Sequence, residues 1–255
     1  YFNEMAKIFD AFSKAIAKQR RKMLARSIFD RYEGVVQRGP YVGMKLGDSS
    51  NVSQGSLGLK IMGLYEKPVV DKINSIKKIN DFVNFGAADG YMALGPLFNK
   101  SCKRAICFEL TEKGRMSVKK NAVMNNINDD LIVKGEVNQN IISSLQELNF
   151  DPSNSVILSD IEGAEFNVFT EEVFSFFRGA TIIIELHDKL IKDGHDLREK
   201  LIRKIPNGAN LEIISLKQSL SFENIKDLED LHDIDRALVM TEGRKIYGEW
   251  LVVEY

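Results

Sequence analysis

The sequence predicts an α/β protein: a doubly wound, mostly parallel sheet of seven strands with an antiparallel C-terminal strand, preceded by a helical N-terminal extension. Three observations predict it. Short, continuously apolar runs recur between amphipathic segments, the pattern of parallel strands buried on both faces and joined by helices. The first such run, around Val83, breaks into Gly86-Ala87-Ala88-Asp89-Gly90 and then into an apolar-spaced helix (Met92, Leu94, Leu97, Phe98). Glycine there permits positive φ and lets a ligand approach the main chain with no Cβ in the way. The second run, Ala105-Ile106-Cys107-Phe108-Glu109-Leu110, carries a carboxylate nineteen positions after Gly90. Nucleotide-binding βαβ units place a ribose-binding acid at about that distance. The turn lacks the full G-x-G-x-x-G pattern, so Glu109 is what gives it meaning.

Composition narrows the options. The 255 residues, 44% hydrophobic and 28% charged, suit one globular α/β domain with a decorated end. A formal net charge of −1 gives no global electrostatic drive toward nucleic acid or a membrane. Cys102 and Cys107 lie at a strand expected to be buried and read as core thiols of a reducing, cytoplasmic compartment. No Cys-x-x-Cys or His-x-x-x-His pair points to structural zinc. No apolar run is long enough to span a membrane.

In chain order, residues 1–38 read as one or two helices, with Ile8, Phe9, Phe12, Ala15, Ile16, Met23, Leu24 and Ile28 near helical spacing. Nine basic residues against four acidic ones leave two readings: a helix packed on the core or on a second copy of the chain, or a basic amphipathic helix on an acidic surface. Gly39 to Gly58 is a long polar connector, either a lid over a substrate or a plain linker. Leu59 to Ile79 is expected to be helical in two pieces, Pro68 opening the second. Residues 1–79 thus form the extension and 80–255 the sheet domain. Strands are expected at Asp81–Ala87, Ala105–Leu110, Leu131–Val137, Ser155–Asp160, Thr181–His187, Leu211–Leu216 and Glu249–Val253. Helices between them fall near Tyr91–Asn99, Thr111–Asn125, Gln139–Leu148, Phe166–Phe177 and Leu197–Ile205. The stretch Glu223 to Asp235 is acidic, a solvated loop or helix, and Arg236–Met240 is expected to pair with the last strand as a hairpin.

Right-handed crossovers bring parallel strand C-termini to one edge, where ligands of such sheets bind. The polar residues closing these strands are Asp89, Glu109, Glu136, Asp160, Glu185 and His187, and they define the expected site.

The most informative stretch is Leu158-Ser159-Asp160-Ile161-Glu162-Gly163-Ala164-Glu165-Phe166, three carboxylates around a glycine at a strand-to-helix junction. Such a group is costly to assemble unless it is solvated, metal-bound or used. With Val83–Gly90, Phe108-Glu109 and Ile184-Glu185-Leu186-His187, it resembles the FkbM-type methyltransferases, S-adenosylmethionine-dependent enzymes of class I with a Rossmann-like sheet. The resemblance runs from about Asp81 to His187 and more faintly to Trp250.

The resemblance implies roles for the matching positions. Gly86, Ala88 and Gly90 would line the methionine part of S-adenosylmethionine, with Asp89 nearby and Asp160 close to the methyl group. Glu109 would hold the ribose hydroxyls, and Glu136 would lie near the adenine. Asn84 departs from the pattern, since such enzymes usually carry an acid before the first glycine. Asparagine still accepts a hydrogen bond from the cofactor's ammonium group, without the charge.

For methyl transfer to a hydroxyl, positioning supplies most of the rate and a base accepts the proton. Asp160 or His187 is the expected base, with Glu185 orienting it. Alternatively Asp160, Glu185 and His187 bind a divalent ion that lowers the hydroxyl's pKa. Glu162 and Glu165 read as carboxylates favoured by a helix N-terminus, and His195 and His232 as surface residues. The expected acceptor is a small molecule or a sugar or glycan hydroxyl. A nucleic-acid methyltransferase is disfavoured because no Asn/Asp-Pro-Pro-aromatic segment follows the fourth strand. An NAD-dependent oxidoreductase and a cofactor-binding module without catalysis are the remaining alternatives.

Overall fold

A computed structural model describes residues 2–48, 55–217 and 225–255. The N-terminal region is one long helix, α1 (Phe2–Arg31), followed by α2 (Leu57–Ile61) and α3 (Lys67–Ser75). The sheet units follow as β1 (Ile79–Phe85), α4 (Tyr91–Phe98), β2 (Cys102–Phe108), α5 (Glu112–Met124), β3 (Leu131–Lys134), α6 (Ile141–Gln146) and β4 (Val156–Ser159). Then come α7 (Glu165–Val168), α8 (Glu171–Phe176), β5 (Thr181–Leu186), α9 (Gly194–Arg203), β6 (Asn210–Ser215), α10 (Asp233–Val239) and β7 (Glu249–Glu254).

The seven strands form one sheet in the order β3-β2-β1-β4-β5-β7-β6. Strands β1 to β5 are parallel, and β7 runs antiparallel between β5 and β6. This is the Rossmann-like sheet with a reversed C-terminal strand that the sequence predicts. The order reverses at β1, whose neighbours are β2 and β4, so the ends of β1, β2 and β4 frame the binding edge.

Strand periodicity divides the core in two. Phe82 and Leu158 face a cluster shared with Val69, Leu94, Val118 and Trp250, whereas Val83, Phe85 and Ile157 face a cluster shared with Phe169, Phe174 and Leu201. The first layer is covered by α2 to α5 and by the C-terminal part of α1, whose Leu24, Ala25 and Ile28 are buried. Earlier in α1, Met5, Phe9, Phe12, Ile16 and Met23 are exposed, while the side chain of Ile8 lies outside the described residues. The helix is fastened to α10 by paired hydrogen bonds from Arg20 to Asp235 (2.9 and 2.6 Å) and by Arg21 donating to the Leu238 carbonyl (3.1 Å). No described helix is long and apolar enough to cross a membrane.

Three expectations need correction. Arg236–Met240 is not a strand: both edges of β7 are taken by β5 and β6, and the stretch instead ends α10, with Asp233 and Asp235 in its first turn. The helix expected over 166–177 breaks at Phe169, where Thr170 caps α8 by accepting the Val173 N–H at 3.2 Å. The third strand stops at Lys134, so Glu136 lies beyond its end and is exposed. In the connector, Tyr41, Met44 and Leu46 are buried in the core; its residues 49–54, and Glu223 of the acidic stretch, lie outside the described residues.

Candidate active site

The glycine turn is built around backbone. Gly86 has φ +81°, and a Cβ there would sit 1.8 Å from the Asp160 carbonyl oxygen. The N–H groups of Gly86 and Ala87 both donate to the Phe108 carbonyl (2.9 and 3.1 Å), which ties the turn to the end of β2. Gly90, φ +87°, opens α4. Sterics therefore require glycine at Gly86, and the positive φ favours it at Gly90.

Glu109 bridges the turn and the start of α5. Its Oε2 accepts the Ala88 N–H at 2.9 Å, and its Oε1 accepts the N–H and hydroxyl of Thr111 at 2.8 and 2.7 Å. Gly114 makes room for it: a Cβ there would lie 2.6 Å from the Glu109 carboxyl carbon. Each carboxylate oxygen has two lone pairs, so Oε2 keeps an acceptor site for a ligand hydroxyl. Asn84 is buried on β1, its Nδ2 at 3.3 and 3.4 Å from the Phe85 and Leu158 carbonyls. Its Oδ1 is buried without a hydrogen-bond partner among the described residues. An orphaned buried acceptor costs about 1–3 kcal/mol, so a donor arriving at Asn84 from a ligand would be favoured.

Asp89 is not on the rim. It is buried behind the turn, where it pairs with Lys60 at 2.7 Å and accepts the Tyr91 N–H at 3.1 Å. The Lys60 ammonium lies 4.8 Å from the Tyr65 ring centre. The rim therefore consists of Glu109, Asp160, Glu185 and His187, with Glu136 on the exposed loop after β3.

On the other side of Asp160 opens a cleft of about 400 Å³, lined by Tyr65, Glu162, Glu185, His187, Arg244 and Tyr247 among others. Asp160, Glu185 and His187 meet at its floor, with one donor atom from each within 4.8 Å of the others. The His187 Nε2 lies 3.6 Å from Asp160 Oδ1, 3.8 Å from Glu185 Oε2 and 3.6 Å from Glu162 Oε2. The side chain of Asp160 is 29% exposed, against 7% for His187 and 4% for Glu185.

Glu185 does not orient His187. Glu165 does: its Oε1 accepts both the backbone N–H (3.0 Å) and Nδ1 (3.1 Å) of His187, and its Oε2 accepts the Gly163 N–H (2.8 Å). Glu165 opens α7 as the expected helix-start carboxylate, and it is fully buried there. Glu185 pairs through Oε1 with Arg244, which also binds Glu66 (2.7 Å) and Glu242 (2.8 Å).

The electrostatics follow from this crowding. Burial, then the facing Glu185 carboxylate, push Asp160 well above the usual carboxylate range. Burial, Glu185 and Glu242 do the same to Glu66, with Arg244 opposing. For His187, burial favours the neutral ring. The Glu165 hydrogen bond and the charges of Glu165, Glu185 and Asp160 outweigh it, and the imidazole is pushed up to about 9.

Lys60, Tyr65, Glu66 and Arg244 carry no sequence signal that separates them from ordinary polar residues. Glu165 had one, its place in the Asp-Ile-Glu-Gly-Ala-Glu stretch. His195 and His232 are exposed, as expected.

No family model matches the chain, and no curated protein does either. Among solved structures, an O-methyltransferase from Bacillus cereus in complex with S-adenosylhomocysteine is 12% identical, covers 91% of each chain and has a TM-score of 0.49. A tRNA methyltransferase from B. subtilis is 14% identical over 71% of this chain and 62% of its own, with a TM-score of 0.45. A precorrin 8W decarboxylase from Methanobacterium thermoautotrophicum is 10% identical over 75% of this chain and 90% of its own, with a TM-score of 0.46. The fold rests on this chain's own strand order and register, with β7 reversed.

Proposed function

We propose that this chain is an S-adenosylmethionine-dependent methyltransferase acting on a hydroxyl group of a small molecule or sugar. One observation carries the reading: Asp160 joins two sites, its carbonyl packed on the Gly86 turn and its carboxylate facing the cleft.

The residues present fit the cofactor. Asn84 Oδ1 lacks a partner among the described residues, and Glu109 keeps free lone pairs beside the Ala88 N–H. Asn84, Gly86, Ala88 and Gly90 would hold its amino-acid end, Glu109 its ribose and Glu136 its base. When bound, it supplies a methyl group on a positively charged sulfur.

The rest is work for the cleft. Closure around an acceptor fixes the oxygen on the line of attack, which lowers the entropic barrier. As the acceptor's O–H bond breaks and its new bond to carbon forms, the proton passes to Asp160, the member of the trio with oxygen surface open to the cleft. His187, clamped by Glu165, and Glu185, clamped by Arg244, hold that carboxylate's surroundings fixed. The lining carries both signs (Asp160, Glu162 and Glu185 against Lys189, Arg244 and Lys245), so the choice of a small hydroxyl acceptor rests on the size of the cleft, about 400 Å³, which suits a small molecule.

Methyl-labelled S-adenosylmethionine, incubated with the protein and pools of small alcohols, sugars and oligonucleotides, tests this. Label should enter an alkali-stable ether in the hydroxyl pools and be lost with Asp160→Asn. Label appearing only in oligonucleotides would reverse the acceptor assignment.

A further inference from the structure

We propose that Asp160, Glu185 and His187 form a binding site for one divalent first-row transition-metal ion, of the manganese or zinc type, at the floor of the cleft. The spacing of these groups is the first reason. Hydrogen-bonded N and O atoms approach to about 2.7–3.2 Å, whereas the His187 Nε2 stands 3.6 to 3.8 Å from Asp160, Glu162 and Glu185. The His187 Nε2 thus faces three carboxylates across a common space without hydrogen-bonding any of them. Metal-to-ligand distances of about 2.1 Å in a tetrahedral site put ligand atoms about 3.4 Å apart, so contraction by a few tenths of an ångström would close the site.

The second reason is that polar atoms point into the space unused. His187 is buried, and among the described residues its Nε2 makes no hydrogen bond. Asp160 Oδ1 is buried and likewise has no partner. The third is the surrounding support. Glu165 holds Nδ1, which turns Nε2 toward the space, the arrangement by which carboxylates orient metal-binding histidines; an ion there would take the place of the Nε2 proton. Arg244 engages Glu185 Oε1 and leaves Oε2 turned toward His187. Glu162, with an exposed side chain, is placed to add a further oxygen from the cleft side.

One imidazole nitrogen with two or three carboxylate oxygens favours manganese, iron or zinc over magnesium and calcium, which prefer all-oxygen sites. What the ion would do rests on the methyltransferase reading. An acceptor hydroxyl bound to it ionises more easily, and with Oδ1 on the metal the outer oxygen of Asp160 still takes the proton.

The test uses the full chain stripped with a chelator. Manganese is titrated and followed by electron paramagnetic resonance, and zinc by calorimetry. One ion per chain should bind, with His187→Ala, Asp160→Asn and the orienting variant Glu165→Gln each weakened by about 10- to 100-fold. S-adenosylmethionine is titrated into the same preparations. His187→Ala should keep cofactor binding and lose the ion; Glu109→Ala should do the reverse. Should His187→Ala fail to fold, Asp160→Asn carries the comparison. No saturable one-to-one binding of either ion by the wild type, or unchanged affinity in the folded variants, overturns the proposal. Wild type that binds the ion but not S-adenosylmethionine would retain the metal site and remove the methyltransferase reading.

Discussion

Glu165 and His187 are joined twice through one atom: Glu165 Oε1 accepts the main-chain N–H of His187 at 3.0 Å and its ring Nδ1 at 3.1 Å. The first residue of α7 thereby fixes both the backbone path leaving β5 and the ring orientation over the cleft floor. Neither partner is exposed enough for water to substitute.

Removing that acceptor should be expensive. Glu165→Ala leaves two buried donors unsatisfied, and at about 1–3 kcal/mol each the expected loss is about 2–6 kcal/mol. Glu165→Gln keeps an acceptor oxygen and should lose about half as much or less. Urea denaturation of the three proteins, with unchanged slope, checks the order.

At Gly86 the constraint is steric. Gly86→Ala forces a Cβ onto the Asp160 carbonyl and an unfavourable φ onto alanine. A loss of about 3 kcal/mol or more is expected. Gly114→Ala presses instead on the Glu109 side chain, at 2.6 Å. It should therefore weaken cofactor binding by about tenfold or more, with a smaller loss of stability, since a displaced contact of about 1 Å can have such an effect. Calorimetry and thermal melts on both variants separate the two effects.

The sheet was legible in the sequence because its strands are buried on both faces, which leaves long apolar runs such as Thr181–Leu186 with acids at their ends. The meeting of Asp160, Glu185 and His187 followed from topology, since parallel strands bring their C-termini together. Asp89 could not be placed that way. Its partner Lys60 comes from the N-terminal region, twenty-nine positions earlier, and nothing local marks the pair. Arg244 is similarly invisible: its value comes from Glu66 and Glu185, which folding brings in from far along the chain. The short apolar run 236–240 misled because five residues cannot distinguish period 2 from period 3.6.

Arg244→Ala should expose that hidden network. It leaves Glu66 and Glu185 buried without their counter-charge, with an expected loss of about 3–5 kcal/mol at pH 8. The pH dependence has a definite sign. Burial and neighbouring carboxylates raise the folded-state pKa of Glu66 above its unfolded value, and Arg244 opposes this. Between those two pKa values the folded state binds the extra proton, so stability falls as pH rises. The variant's deficit should therefore be smaller at pH 5 than at pH 8, as read by denaturation at each pH. An equal deficit at both would remove Glu66 from the account.

Asn84→Asp tests whether a charge at this position strengthens the proposed cofactor site. Without ligand the new carboxylate is buried and the variant should melt below the wild type. With S-adenosylmethionine, whose ammonium group gains a charged partner, binding should tighten by about tenfold and the melting temperature should recover, since a charge-assisted hydrogen bond is roughly twice as strong as a neutral one.

The most direct test of the central claim is calorimetry of the purified protein with S-adenosylmethionine, S-adenosylhomocysteine and NAD, repeated with Glu109→Ala. One-to-one binding of the first two is expected, with no binding of NAD and a weakening of about tenfold or more in the variant, the loss of a charged hydrogen-bond acceptor. Binding of NAD, or no binding of either S-adenosyl compound by folded wild-type protein, would contradict it.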